Sequence, residues 1–395
     1  MIKRKLGIAI VGLGGAVGTT MVAGIELLKK GLIGTEGLPL AGFNIGNLAD
    51  YSDITFGGWD LFSDHLAKAA EGHDVLTHKQ FIAVEEYLRK IKPWPSIGNK
   101  QFLANVYGPN QFSYESHRKT IDKIRNDLQE FKKSCDQVVV INLASTEKLA
   151  VEGNEIFNSF AGFETALDEN SLDIAPAVLY AYSAIAEGIP YGNFTPSVAA
   201  EIPALVQFAE QQGVPIAGKD GKTGQTFIKT VLAPALKSRA LKVDGWYSTN
   251  ILGNRDGLAL SDEDSLASKV KTKSSVLDDI LGYEVEDHII DIRYYRPRKD
   301  NKEAWDNIDI TGFLGQPMQI KVNFLCRDSV LAAPLVIEIA RLLDLAKQRG
   351  EKGVQEQLSV FFKMPMTKSG KPVHAFHEQE KMLNVWLLEG SYGIK

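Results

Sequence analysis

Short apolar runs alternate with helix-like stretches through the first half of the chain. Leu6 to Val11 and Asp136 to Leu143 are apolar runs rich in β-branched residues, which is typical of strands buried in a parallel sheet. Thr19 to Lys30 and Tyr114 to Lys133 have helical periodicity instead, and both end in lysines. Strands that alternate with helices in this way predict an α/β fold with a parallel sheet.

The same pattern continues towards residue 217. An apolar helix is predicted at Ile174 to Glu187, a second helix at Val198 to Gln211 and a short strand at Pro215 to Ala217. Three segments have weaker patterns, which predict a helix at Asp60 to Glu71, irregular chain at the proline-containing segment Ile91 to Leu103, and a loop at Gly188 to Asn193.

The pattern changes after Asp256. Asp287 to Tyr295 and Met318 to Phe324 alternate between apolar and polar residues, which predicts half-buried strands of an antiparallel or mixed sheet. Val330 to Lys347 is predicted to be a long amphipathic helix, and Ser359 to Lys363 a final short strand.

Composition narrows the class of protein. The chain has 395 residues, of which 44% are hydrophobic and 24% charged, as in globular soluble proteins of two or three domains. Its net charge of −5 gives no reason to expect a nucleic-acid or membrane partner, and no apolar run reaches the ~18 residues of a membrane helix. The two cysteines, Cys135 and Cys326, lie far apart, which favours a reducing, cytoplasmic location.

A glycine-rich turn follows the first predicted strand. Gly12, Gly14 and Gly15 belong to a G-x-G-x-x-x-G pattern, and the helix that begins near Ala16 and Val17 offers unpaired N–H groups to a pyrophosphate. This segment superficially resembles a secretion signal, but its glycines and its lack of an A-x-A cleavage site favour a strand and a turn. The sequence therefore predicts a dinucleotide site.

Two further segments are candidates for that site. A dinucleotide fold usually has an acidic residue about twenty positions after the glycines to bind the adenine ribose, but Asn44 ends the LPLAGFN segment there. Asp60, in the segment FGGWD, is the next candidate. Small and polar residues also follow the strand at Asp136 to Leu143, where a doubly wound sheet binds its ligand: Ala144, Ser145 and Thr146.

A second polar region extends from Gly218 to Lys302. It contains GKDGKTGQT and TNILGNRDG, whose glycine turns lie beside polar residues, including Asp220. Lys269 and Lys273 are spaced to share one face of a helix, where like charges repel unless an anion lies between them. Such a pair also occurs on solvated helix faces. With the glycine turns beside it, the pair favours a phosphate site.

Other candidate sites are weaker. His374 and His377 lack the glutamate of a zinc-helix motif and lie near Gly370 and Pro372, which favours a surface loop and no metal. The basic and aromatic segment RYYRPRKDNK resembles a nucleic-acid site, but the acidic balance of the chain argues against that function.

The motifs together resemble one known family. The segments GLGGAVGTT, FGGWD, INLASTE, IAEGIPYGN, GKDGKTGQT, TNILGNRDG, SKVKTKSSVLDDI, CRDSVLAAPL and SVFFKMP are similar, in order and spacing, to those of the myo-inositol-1-phosphate synthase family, in its compact bacterial and archaeal form. The chain departs from the family pattern at the TGQT loop and at Arg255, where GNRDG replaces GNNDG.

The resemblance implies an α/β fold in which a Rossmann-type NAD-binding domain carries an inserted α+β domain for catalysis and tetramer formation. The predicted boundaries are residues 1–217 and 330–395 for the first domain and 218–329 for the second. The implied reaction converts D-glucose 6-phosphate to 1L-myo-inositol 1-phosphate without net redox change. NAD oxidises C5, the C6 enolate attacks the C1 aldehyde, and C5 is then reduced again.

The resemblance also implies residue roles. Lys269 would move the C5 hydroxyl proton, Lys363 and Asp220 would serve ring opening and orientation, and Lys302 would stabilise oxygen charge during the aldol closure. Lys273 and the Thr223-Gly224-Gln225 backbone would hold the phosphate. The sugar and the lysines would be positioned by polar side chains at Asn250, Asn254, Asp256 and Asp328.

Two other functions share these motifs. A conventional NAD-dependent dehydrogenase acting on a phosphorylated substrate would accumulate NADH. A catalytically silent NAD-sensing or scaffold protein would have no need of Lys269, Lys273, Lys302 and Lys363, which all match family positions.

Overall fold

The computed structural model of the chain describes residues 4–103, 106–148, 154–253 and 276–389. Its strands are β1 (Leu6–Val11), β2 (Ile54–Asp60), β3 (Trp94–Ile97), β4 (Gln111–Phe112), β5 (Gln137–Asn142), β6 (Tyr191–Asn193), β7 (Pro215–Gly218), β8 (Lys242–Leu252), β9 (Asp287–Tyr294), β10 (Asn301–Thr311), β11 (Pro317–Arg327) and β12 (Gly353–Val354). Its helices are α1 (Ala16–Lys29), α2 (Leu66–His73), α3 (His78–Arg89), α4 (His117–Lys132), α5 (Phe160–Asp168), α6 (Pro176–Ala186), α7 (Pro203–Gln211), α8 (Gln225–Ser238), α9 (Asp328–Gln348) and α10 (Phe376–Glu389), and residues 276–281 are also helical.

Eight strands form the larger sheet, in the order β12-β7-β6-β5-β1-β2-β3-β4. All neighbouring strands in it are parallel. The chain builds outward from β1 in one direction through β2 and β3, and from β5 in the other through β6 and β7. The strand order therefore reverses between β1 and β5, and a crevice at their carboxyl ends is where such sheets bind ligands.

Helices cover both faces of the larger sheet. In β1, Ala9 and Val11 pack in the core formed with α4, α5, α6 and α7, whereas Ile8 and Ile10 pack in the core formed with α1, α2, α3, α9 and α10. Because side chains alternate along a strand, a strand covered on both faces must be apolar throughout. This explains why β1 and β5 are visible in the sequence as continuous apolar runs.

The smaller sheet has the order β11-β10-β8-β9 and is mixed, since β8 and β9 are parallel and the other pairs antiparallel. One face packs against α8 and the helical residues 276–281, around Trp246 and Ile308. The predicted alternation at β9 and β11 is confirmed, and both are edge strands.

Four local predictions from the sequence are wrong. Asp60 is the last residue of β2, and the helix begins only at Leu66. The irregular segment contains β3, and the predicted loop at Gly188 to Asn193 ends in the buried strand β6. The final predicted strand lies mostly in a 3₁₀ turn, Glu356–Phe361. In each case the conformation depends on whether the segment pairs with a neighbouring strand. The sequence of a short segment does not show whether such a neighbour is present.

Two side-chain environments also differ from expectation. His374, predicted on a surface loop, is buried, and burial lowers its pKa. Helix α9 has the predicted extent but is buried on nearly all sides, because its charged residues are paired. Arg341 binds Glu338 at 2.5 Å, and Arg4 binds Asp344. Within the described ranges, no helix is long and apolar enough to cross a membrane.

Candidate active site

A cavity of about 450 Å³ opens at the carboxyl ends of β1 and β5. Its walls come from both parts of the chain that the sequence singled out. The predicted site residues that line it are Gly12, Gly15, Ala16, Val17, Asp60, Ala144, Ser145, Thr146, Asp220, Thr223, Lys302, Asp328 and Lys363.

The glycine turn between β1 and α1 fits a pyrophosphate. Gly12 has a φ of 92°, and a Cβ there would lie 3.0 Å from the carbonyl oxygen of Leu143. Gly15 precedes α1 and provides no side-chain cap, so the first N–H groups of the helix have no side-chain partner. A bare turn against a helix N-terminus is the arrangement that binds phosphate oxygens.

Asp60 lies where this fold places its ribose-binding acid, at the carboxyl end of β2. Its Oδ2 atom accepts a hydrogen bond from the Gly14 N–H at 2.8 Å, and its Oδ1 atom accepts one from the Phe62 N–H at 2.8 Å. Gly14 therefore contacts Asp60 and does not itself line the cavity. The usual spacing failed to locate this acid because the segment after α1 is long and β2 starts only at Ile54.

Asp220 and Lys363 form a buried ion pair that also lines the cavity. The Lys363 Nζ atom donates to Asp220 Oδ1 at 2.6 Å, and the two residues are 7% and 3% exposed. Asp220 has a φ of 59°, a left-handed conformation that is rare for a residue with a side chain and is found at functional sites.

Lys302 and Asp328 form a second pair beside the first. Lys302 Nζ donates to Asp328 Oδ1 at 3.2 Å, and the Thr223 hydroxyl lies 3.4 Å from the same oxygen. Asp328 is the first residue of α9, where the helix dipole favours a negative charge. Asp300 fixes this helix end by accepting from the Ser329 hydroxyl at 2.6 Å, and burial raises the pKa of Asp300.

Three predicted substrate residues lie beside the cavity and do not line it. Gly224 precedes α8, Gln225 accepts a hydrogen bond from the Asn250 side chain, and Gln225 also donates to the Trp305 carbonyl at 3.4 Å. These bonds fix the start of α8 against the smaller sheet. Four more predicted residues lie outside the described residues: Lys269, Lys273, Asn254 and Asp256.

The structure adds to the cavity His73, for which the sequence had no signal, and Glu147, which the sequence indicated only as the end of the polar segment ASTE after β5. Glu147 is buried there, and its carboxyl group accepts from the Ala177 N–H at 3.1 Å. Burial raises the pKa of Glu147 to about 8. The His73 Nε2 atom lies 2.8 Å from the Gly14 carbonyl oxygen. Glu147 directly follows the predicted Ala144 to Thr146 segment, so its position was the one available signal.

A doubly wound parallel sheet with a bare glycine turn at its switch point defines a dinucleotide-binding α/β protein. A family model for NAD binding, described as Myo-inositol-1-phosphate synthase, matches residues 39–387. The chain belongs to the myo-inositol-1-phosphate synthase family. The sequence-based predictions of family, fold class and NAD as cofactor are confirmed.

Individual relatives agree with this assignment. The chain is 42% identical to inositol-3-phosphate synthase 1 of Bacteroides thetaiotaomicron, over 96% of this chain and 94% of the relative. It is 30% identical to inositol-3-phosphate synthase isozyme 1 of Arabidopsis thaliana, over 96% and 84% of the two chains. The crystal structure of inositol-3-phosphate synthase from Caenorhabditis elegans superimposes with a TM-score of 0.91 at 25% identity, covering 98% of this chain and 86% of that one.

Proposed function

We propose that this chain converts D-glucose 6-phosphate to 1L-myo-inositol 1-phosphate, with NAD regenerated in every turnover. One observation carries the proposal: a single cavity is lined both by the glycine turn with Asp60 and by two lysine–carboxylate pairs. A simple hydride transfer needs one proton-transfer group, whereas ring opening and carbon–carbon closure need further groups that move protons or stabilise oxygen charge.

The glycine turn and Asp60 would hold NAD, which would supply the hydride acceptor for oxidation at C5 and the hydride donor for the later reduction. The ketone at C5 makes the C6 protons acidic, so an enolate forms at C6 and attacks the C1 aldehyde. Lys363, held by Asp220, would transfer protons during opening of the sugar ring. Lys302 would stabilise the oxygen charge that develops at C1 as the new bond forms. Lys269 would take the C5 hydroxyl proton and return it.

The phosphate of the substrate would bind at the start of α8. Gly224 precedes this helix of 14 residues without a side-chain cap, so the first N–H groups of α8 lack a side-chain partner. Lys273 would add a positive charge there. Asp328, which faces the cavity beside Thr223, would orient the sugar, and Asn250, Asn254 and Asp256 would support the same region.

We also propose the assembly and the location of the protein. A homotetramer would cover the face of the smaller sheet that points away from α8, where Ile289 and Leu325 are exposed on the two edge strands. Both cysteines are free, which supports a cytoplasmic location. Residues 218–329 would form the catalytic and assembly domain, inserted between residues 1–217 and 330–395 of the NAD-binding domain.

The direct test is turnover with very little cofactor. We expect purified protein given glucose 6-phosphate and NAD⁺, at a small fraction of the substrate concentration, to form inositol phosphate well beyond the amount of NAD⁺. The variant Lys363→Met, prepared in parallel, is the control for contaminating activity. Product limited to the amount of NAD⁺ and matched by NADH would show a dehydrogenase, and no turnover at all would favour a non-catalytic protein.

A further inference from the structure

A second cavity, of about 530 Å³, lies away from the dinucleotide turn. It is bounded by α1, the chain that follows α1, the beginnings of α8 and α9, and α10. Most of its lining is aliphatic or aromatic, with Ile25, Leu28, Phe227, Leu331 and Leu383 among the lining residues. Its volume lies within the range of small-molecule sites, ~300–1,000 Å³.

One short backbone ladder separates this cavity from the catalytic cavity. The Lys363 N–H donates to the Asp220 carbonyl at 2.6 Å, and the Lys222 N–H donates to the Phe361 carbonyl at 2.8 Å. Asp220 and Lys363 line the catalytic cavity, whereas Lys222 and Phe361 line the second one. Thr223 borders both. A ligand in the second cavity would therefore touch the chain segments that hold the catalytic ion pair.

Lys222 gives the apolar cavity a buried amine, the one lysine or arginine side chain among the described residues that line it. The residue is 3% exposed, its ammonium group donates to the Gln379 side chain, and it lies 5.4 Å from the centroid of the Phe376 ring. Among the residues that the structure describes, no carboxylate lies within ion-pairing distance of Lys222. Burial accordingly lowers its pKa to about 7, so near neutral pH the amine is only partly protonated. An anion that reached it would stabilise the charged form and would be bound favourably.

We propose that this second cavity binds a small amphiphilic carboxylate, with its head group at Lys222 and its apolar chain along α1 and α10. The carboxylate supplies the counter-ion that Lys222 lacks, and the apolar lining takes up the chain. Glu36 and Glu380 also line the cavity, at exposed positions, and each further negative charge on a ligand would be repelled by them, which disfavours ligands with several anionic groups. This inference does not depend on the reaction proposed above.

Gly24 provides the means to test the site. It lines the cavity from α1, and a Cβ built on it meets no atom within 4 Å beyond its neighbours in the helix. Gly24→Phe would direct a ring into the cavity from a Cβ that meets no other atom, whereas Gly24→Ala adds a single methyl group and serves as its matched control. Lys222→Met keeps the apolar stem and removes the charge.

The experiment measures binding of decanoate and of decanol to the full chain by isothermal titration calorimetry, below the concentrations at which either probe aggregates. We expect saturable binding of decanoate about ten-fold tighter than that of decanol, from a charge-assisted hydrogen bond to Lys222. The two probes should bind equally to Lys222→Met. Gly24→Phe should lose decanoate binding while Gly24→Ala retains it, and both glycine variants should keep the turnover of the parent.

Three results would overturn the proposal. They are the absence of saturable decanoate binding, decanoate binding that survives Gly24→Phe, and equal affinities of the parent protein for decanoate and decanol. Because the Gly24 variants leave Lys222 unchanged, they remain informative if Lys222→Met fails to fold. Turnover is measured separately, so a failure of this proposal is distinguishable from a failure of the proposed reaction.

Discussion

Asp220 and Lys363 are 143 positions apart in the chain, yet they are joined twice. Their side chains form an ion pair of 2.6 Å, and the Lys363 N–H donates to the Asp220 carbonyl at 2.6 Å. The backbone hydrogen bond fixes the distance between the two charged side chains. Because burying an unpaired charge is costly, this fixed geometry helps the pair to remain buried. The lysine is thus held in one place at the wall of the cavity, which positions a group for proton transfer.

The first prediction separates the catalytic role of Lys363 from its structural role. Lys363→Met should lower turnover by ~10²–10⁴-fold, as for general acid–base groups. It should also destabilise the fold by about 3–5 kcal/mol, since Asp220 is left buried without its partner. The double variant Asp220→Asn/Lys363→Met should regain much of the stability and none of the activity. Chemical denaturation and turnover of the three variants are the measurements, and recovery of activity in the double variant would contradict the assignment.

The second prediction concerns the glycine turn. Gly12→Ala should weaken NAD binding by about ten-fold or more, because the left-handed backbone costs other residues roughly 1–2 kcal/mol and the new methyl group would press on Leu143. Gly24→Ala is the control, since it also adds a methyl group to a glycine, in the interior of α1 and away from the turn, where the new Cβ meets no atom. Titration of NAD by fluorescence gives both affinities. Equal affinities would remove the turn from the cofactor site.

The third prediction concerns the two lysines predicted to flank the substrate. Lys269→Ala should abolish turnover and leave NAD binding unchanged, because its proposed role is proton transfer at C5. Lys273→Ala should in addition weaken substrate binding, because it loses a phosphate contact. Steady-state kinetics and NAD titration distinguish the two variants. A Lys269→Ala protein within a factor of about three of the parent rate would exclude Lys269 from the mechanism.

The fourth prediction follows from the raised pKa of Glu147, which burial shifts from 4.5 to about 8. Between these two pH values the unfolded chain has lost the Glu147 proton and the folded chain retains it, so this residue lowers the stability progressively as the pH rises. The variant Glu147→Gln has no ionisable side chain at position 147. The stability of Glu147→Gln relative to the parent should therefore increase from pH 5 to pH 8. If the unfolding temperatures of the parent and of Glu147→Gln change with pH in the same way, Glu147 does not titrate in this manner.

The fifth prediction tests assembly through the smaller sheet. The parent should be a tetramer at micromolar concentration by light scattering, and Leu325→Lys, on the edge strand β11, should reduce its mass. Leu172→Lys is the matched control, because Leu172 is 74% exposed outside the sheet, compared with 60% for Leu325. A monomeric parent, or a tetramer indifferent to Leu325→Lys, would refute this mode of assembly.

The strands that could be predicted from sequence are those whose apolar and polar residues follow the burial of their positions in a simple pattern. β1 and β5 are covered on both faces and consist of apolar runs, and β9 and β11 alternate because one face of each is more exposed. β8 and β10 were missed because Ser248, Asn250 and Asp306 lie at buried positions and interrupt the alternation. Trp246 and Ser248 both donate to Asp306, so the sheet satisfies these polar groups only after its strands have paired.

The site could be predicted only in part for the same reason. The glycine turn and its helix are local, so the sequence encodes them directly. The pairing of Asp220 with Lys363 and of Lys302 with Asp328 depends on chain segments brought together by the whole fold. Asp220 was a candidate from its glycine turn alone, whereas Lys363, Lys302 and Asp328 were predicted only through the family resemblance. Nothing in the sequence predicted the cavity at Lys222, because the sequence alone does not show whether a lysine is buried or exposed.

In the proposed reaction, the hydride removed from C5 returns to the same substrate molecule. Glucose 6-phosphate deuterated at C5, incubated with the protein and unlabelled NAD⁺, tests it in one measurement by mass spectrometry of the product. We expect inositol phosphate that retains its deuterium, with no steady rise in the absorbance of free NADH. Loss of the label, or NADH that accumulates in proportion to product, would show an ordinary dehydrogenase and exclude return of the hydride.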